Sequence, residues 1–221
     1  LSHQLGEGNT VKLAAFEVVL PFLSDRLAPA DLVGIPLYRN GVEGSIIREW
    51  DLVWEQESDH TFISATLFHA ESDYPERQTN QSMREWQATV KGLELELNTI
   101  PADQWGASAG YQYKNIENEQ VTSLDRSEQI LDGTLSWVGP NGLSVSMNET
   151  FRTIDFDSTR SNENIWITDL LMSYQLTQKQ GNITIGISNL FNNHFNWVTD
   201  SFIFSGRNPE RALMVGVQLN L

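Results

Sequence analysis

The chain has 221 residues, 29 of them acidic against 14 basic, and no cysteine. A formal net charge of -15 excludes the basic footprint of a nucleic-acid binder. The missing cysteines exclude a disulfide framework, a thiolate metal site and a cysteine nucleophile. No apolar run reaches the length of a transmembrane helix, and the mean hydropathy is negative.

The opening LSHQLGEGNT carries no methionine, no charged n-region and no apolar h-region, and is expected to be part of a longer chain. Residues 1–9 read as a leader and 10–221 as a single domain. Period-two alternation then recurs to the end of the chain. It predicts strands at Val11–Leu20, Ile46–Glu55, Phe62–Ala70, Trp86–Leu97, Trp105–Tyr113, Ile130–Val138, Leu143–Phe151, Ile165–Leu176, Ile183–Phe191 and Arg211–Leu221. These are about ten strands of the ~9–11 residues that a tilted strand needs to cross a bilayer.

The connections alternate in length. Short polar turns fall at Ser58–His60, Pro101–Asp103, Pro140–Gly142 and Lys179–Gly181, and long polar links at 21–44, 73–85, 115–128, 155–164 and 192–210. In a meander this collects the short turns at one end of the sheet and the long loops at the other, the asymmetry of outer-membrane barrels. The predicted fold is therefore all-β, an antiparallel up-and-down transmembrane β-barrel, either complete or the C-terminal part of a larger one. A soluble sandwich or lipocalin-like ligand-binding barrel shows the same alternation with its faces exchanged.

The polar face supplies the candidate site. Glu94 and Glu96 alternate with leucines in GLELELN, and Glu49 and Asp51 with Trp50 and Leu52 in REWDLVWEQE. With Gln112 and Gln218 they are the polar residues expected to face a wet lumen, since lipid does not admit carboxylates. Tryptophans near predicted strand ends, such as Trp105, Trp137 and Trp166, suit interfacial belts. Arg48, Glu17 and Glu149 break the pattern by sharing the parity of the apolar face. Near an interface they cost little, whereas Arg or Lys at the midplane costs about 2–4 kcal/mol; a bulge is the alternative.

No phosphate loop, nucleophile elbow, zinc-protease helix or EF-hand spacing occurs. His3, His60, His69 and His194 are scattered, the acidic loop residues read as solvated, and no metal, cofactor or catalytic residue is assigned.

The closing ISNLFNNHFN and SGRNPERALMVGVQLNL resemble the end of TonB-dependent outer-membrane receptors, with Asn189, Leu190 and Phe191 matching an Asn-Leu-Phe motif and Gly206 and Arg207 the turn before the last strand. VKGLELELN resembles the family's Gly-x-Glu strand, and Ala65 to Phe68 its Ala-x-x-Phe hairpin. The match is similar as well to receptor-like barrels attached to tetratricopeptide repeats. Those receptors have 22 strands and a plugged lumen, and this sequence shows no plug and no TonB-contacting box. It also has Ala30 where the family prefers Glu, and Leu221 where a terminal aromatic is usual.

The resemblance implies a bacterial outer-membrane location and a transport or ligand-uptake path without enzymatic activity. It implies as partners the bilayer with its lipopolysaccharide, the assembly machinery reading the last strand, and TonB through a plug domain. An outer-membrane barrel enzyme is the alternative from another class.

Overall fold

The computed structural model describes residues 1–19, 31–32, 35–36, 45–77, 83–119, 125–157, 162–176, 180–194, 197–198, 203–204 and 210–219. In chain order the strands are β1 (Ser2–Gly6), β2 (Asn9–Val19), β3 (Asp31–Leu32), β4 (Ile35–Pro36), β5 (Ile46–Glu57), β6 (Thr61–Arg77), β7 (Met83–Ala102), β8 (Trp105–Asn118), β9 (Arg126–Val138), β10 (Leu143–Phe156), β11 (Glu163–Gln175), β12 (Gly181–Ser188), β13 (Trp197–Val198), β14 (Ile203–Phe204) and β15 (Ala212–Leu219). The two-residue pairs β3–β4 and β13–β14 stand apart. The other eleven strands form one antiparallel up-and-down sheet in the order β1-β2-β5-β6-β7-β8-β9-β10-β11-β12-β15. β1 and β15 are each paired on one side only, so the sheet is not closed.

The strand beyond the expected ten is β1, in the segment read as a leader. It returns on β2 through a turn at Glu7-Gly8. There Gly8 has φ +72°, and a Cβ on it would lie 2.1 Å from the Glu57 carbonyl oxygen. Only glycine fits both conditions. The Gly8 carbonyl in turn accepts the Glu57 amide at 2.7 Å, tying the turn to the end of β5.

Several strands outrun their predicted ends. β6 continues to Arg77 and β7 begins at Met83, with the register unbroken from Thr61↔Thr99 to Arg77↔Met83. β8 runs to Asn118, and β9 starts at Arg126 in place of Ile130. Both ends of the long links 73–85 and 115–128 are thus strand. Backbone pairing does not depend on side-chain polarity, so a ladder can propagate past the point where the apolar alternation stops.

Residues paired across antiparallel strands share a face, and the ladders therefore define the two surfaces. Leu13–Leu52–Leu67–Leu93–Tyr113 form one continuous row, and Val11–Trp54–Ala65–Leu95–Tyr111–Leu131–Phe151–Trp166 another. On this outer face large apolar side chains are exposed: Leu52 40%, Leu131 54%, Trp166 57% and Val215 67%. Trp105 pairs with Trp137 toward the short-turn end, whereas Trp50 stacks on His69 toward the long-link end, ring centroids 5.6 Å apart.

The charges that broke the pattern do lie on the outer face. No register shift interrupts β2–β5 or β10, so a bulge is not the cause. Glu17 and Arg48 are ladder partners beyond the leucine row. Arg48 bridges Glu17 at 2.8 Å and Asp73 at 3.0 Å. On the same fringe Lys91 bridges Glu117 at 2.7 Å.

Replacing Gly8 by alanine must displace the Glu57 carbonyl and strain the turn. The expected cost is about 1–3 kcal/mol, read as faster hydrogen exchange at Thr10 and Val11 with the β10–β11 ladder unchanged.

Candidate functional site

Polar and charged side chains gather on the inner face, where they are buried. One row reads Ala14–Asp51–Phe68–Gly92–Lys114–Glu128–Ile154. The row one step toward the long links reads Phe16–Glu49–Ala70–Val90–Ile116–Arg126–Phe156. Two charged groups sit on these rows, separated by an apolar patch of Phe68, Val90 and Ile116.

The first group centres on Glu128, which is fully buried. Its Oε1 accepts from Arg126 Nε at 2.7 Å and its Oε2 from Arg152 Nη2 at 2.7 Å, with Lys114 Nζ 3.8 Å from Oε2. Arg126 and Glu128 are alternate residues of β9, and Lys114 is the ladder partner of Glu128 on β8. Three cations thus surround one carboxylate. The second group is Glu49 and Asp51 on β5, 3% and 1% exposed. Three strand spacings separate Asp51 from Lys114, roughly 14 Å along the sheet.

Between the groups, two sequence motifs meet. Phe68 closes the Ala-x-x-Phe segment, and its ladder partner is Gly92 of the Gly-x-Glu strand. A Cβ on Gly92 would lie 2.1 Å from the Tyr113 carbonyl oxygen and 2.6 Å from Phe68 Cζ. The glycine makes room for the ring.

Toward the short turns the inner face is acidic. Gln112 Nε2 donates to its ladder partner Glu94, Asn98 Nδ2 donates to Glu96 at 2.6 Å, and Lys12 bridges Glu55 at 2.7 Å. Glu55, Glu94, Glu96, Asn98, Gln112 and Asp132 border a groove of 370 Å³. No three metal-ligating side chains converge among the described residues.

Register therefore puts Glu49, Asp51, Glu94, Glu96 and Gln112 on one face across β5, β7 and β8. Gln218 shares that face, opposite Asn182, but on β15 at the far edge, away from the others. Lys114, Arg126 and Glu128 were not anticipated, because Arg126 and Glu128 fall where a link was expected and Lys114 just past the expected end of its strand. They keep the even parity of Gln112 along β8 and of Thr134 along β9, and that parity was the available signal.

Of the closing motif, Asn189, Leu190 and Phe191 are described, whereas Gly206 and Arg207 lie outside the described residues. β12 stops at Ser188 while β11 continues upward to Glu163, so the turn after β12 must supply the bonds of a missing strand. Leu190 N donates to Thr168 O at 2.8 Å and Asn193 Nδ2 to Trp166 O at 2.7 Å. Asn189, with φ +51°, is almost fully buried. Its Nδ2 donates to Asn193 O and its Oδ1 accepts from Asn193 N, both at 2.9 Å, while its own N–H donates to Asp169. Asn192 also has positive φ, +56°. Asparagine tolerates this conformation and supplies amide groups in place of a ladder.

No family model matches the sequence, and no curated protein matches it. Solved structures share the fold. FpvA of Pseudomonas aeruginosa, bound to a heterologous pyoverdine, is 16% identical with a TM-score of 0.63, covering 98% of this chain and 31% of its own. The ferric-catecholate import receptor Fiu of E. coli K12 is 12% identical with a TM-score of 0.62, covering 99% and 34%. The ferripyoverdine receptor of the P. aeruginosa outer membrane, bound to ferripyoverdine, is 17% identical with a TM-score of 0.62, covering 98% and 31%. The chain thus spans about a third of each of these receptors. The likeness to TonB-dependent receptors read from the motifs extends to the fold of nearly the whole chain.

Replacing Glu128 by glutamine leaves buried arginines around a neutral amide. The variant is expected to lose about 3–5 kcal/mol, measured as a lowered urea midpoint of the folded barrel. Asn189→Ala removes two side-chain bonds and strains the backbone, a loss of about 1–3 kcal/mol confined to the turn. It is read as accelerated exchange of the Leu190 amide.

Proposed function

We infer that the chain forms wall of a transport barrel in the bacterial outer membrane, of TonB-dependent-receptor type, whose inner face lines a path or ligand site. One observation carries this reading. Leucines, valines and tryptophans are exposed on the outer face, and carboxylates and guanidinium groups are buried on the inner one. A soluble barrel requires the opposite arrangement, since a contiguous apolar surface of this extent in water is an aggregation site. In lipid it is the surface that belongs there. The shared fold with receptors of known structure supports the same conclusion.

Transport fits the inner face better than catalysis. Glu128 is saturated by cations and Glu94 is held by Gln112, so neither is poised as a general acid or base. On this reading the lumen presents an acidic groove beside a cluster of cations around Glu128, a charge pattern that selects solutes. The partners are those of such barrels: lipopolysaccharide outside the wall, the assembly machinery at the terminal strand, and TonB through a plug.

Spin labels placed one at a time in the full-length protein, reconstituted in bilayers, test the assignment of faces. Labels at Leu95 and Leu97 are expected to collide with lipid-soluble oxygen, and labels at Glu94 and Glu96 with a water-soluble nickel chelate. The reverse pattern would sink the reading, and water at all four positions would remove the membrane.

A further inference from the structure

At the short-turn end the outer face holds a recess that its own side chains do not fill. Register sets its position. The row Trp105–Trp137–Val145–Met172–Ile185–Val215 crosses the face near that end, and the last row beyond it is Leu143–Tyr174–Ile183–Val217. Ser144 pairs with Val138, so the place beside Leu143 on the β9 side falls to Gly139, which offers no side chain. The Trp137 ring leans over that glycine, its Cη2 2.5 Å from where a Cβ would stand. A cavity of 550 Å³ lies here, lined by Trp137, Gly139, Pro140, Asn141, Leu143 and Tyr174.

The walls of this recess are tied down. Gly139 N donates to Leu143 O at 2.7 Å and Gln175 N to Gly142 O at 2.8 Å, so the turn between β9 and β10 is bonded both to itself and to β11. Trp137 Nε1 donates to Gln104 Oε1 at 3.2 Å, which holds the indole from the turn between β7 and β8. Leu143 is half-buried between the two aromatic residues, and Tyr174 is exposed. The Tyr174 hydroxyl makes no hydrogen bond among the described residues.

Aromatic walls on either side of an apolar floor, with an amide and a phenol hydroxyl available, suit an acyl chain that ends in an ester-linked polar group. The methylenes lie against Trp137, Leu143 and Tyr174, and the hydroxyl donates to an ester or phosphate oxygen at the interface. Among the described residues no charged side chain lines the recess, so the charge of the headgroup is not selected. Resting on the membrane reading above, we propose that this recess seats one glycerophospholipid of the periplasmic leaflet. The short turns decide the leaflet, since in barrels of this type they face the periplasm, opposite the leaflet that holds lipopolysaccharide. A lipid held by two rings and a tied turn leaves more slowly than one lying on an open row of side chains.

The test uses the full-length protein in nanodiscs of phosphatidylethanolamine and phosphatidylglycerol with lipopolysaccharide added. The lipid retained after transfer to detergent is counted by native mass spectrometry. The wild type is expected to keep one glycerophospholipid of either headgroup. L143W fills the recess with an apolar ring and is expected to lower that occupancy roughly tenfold, the effect of leaving about two methylenes unburied. L135W adds the same ring on the same face away from the recess and is expected to retain the lipid. The proposal is overturned, and the membrane reading left intact, by a wild type that retains no phospholipid or prefers lipopolysaccharide, by equal retention in L143W, or by an equal loss in L135W. Failure to enter nanodiscs at all overturns both. If L143W does not fold, Y174A removes one wall, and undiminished retention in Y174A counts against the site.

Discussion

The structure depends on the backbone ladder. Eleven strands lie in one layer, each bonded only to its sequence neighbours in the sheet, and among the described residues no second layer packs against them. Because side chains alternate at every residue, a slip of one position in any pairing would turn that strand's leucines inward and its carboxylates outward. Across β5 to β8 the pairings set leucine opposite leucine on the outer face, as in Leu52–Leu67–Leu93, and on the inner face Glu94 opposite Gln112. Side-chain pattern and backbone bonding enforce the same register.

That register gives the inner face its electrostatic order. Cations from β8, β9 and β10 converge on Glu128, and the acids of β5 stay on the far side of Phe68, Val90 and Ile116. A buried carboxylate survives between the buried Arg126 and the half-buried Arg152 because its oxygens accept from both. Phe68 in its seat over Gly92 separates the two territories, so a packing contact helps to maintain the spacing of the charges.

Where the ladder stops, asparagines take over its hydrogen bonding. In the polar run after β12, Asn189 is buried, and Asn193 satisfies a carbonyl that a longer β12 would have met. Glu149, a charge that looked misplaced in the alternation, is held by Trp166 and Thr168.

Much of this was legible beforehand. The alternation in GLELELN and in Trp105–Tyr113, together with short turns alternating with long links, determined strand direction, the up-and-down order and the membership of each face. These follow from a period of two and from turn chemistry, both local properties. The sequence could not show that the ladder continues beyond the apolar alternation, because backbone pairing ignores side-chain polarity. That continuation put Lys114, Arg126 and Glu128 on strands in place of a loop. Nor could it show which charges meet, since Arg152, Glu128 and Lys114 lie on three strands joined only by register. Composition and period determined the two faces, and the tertiary pairing alone decided which residues stand together on them.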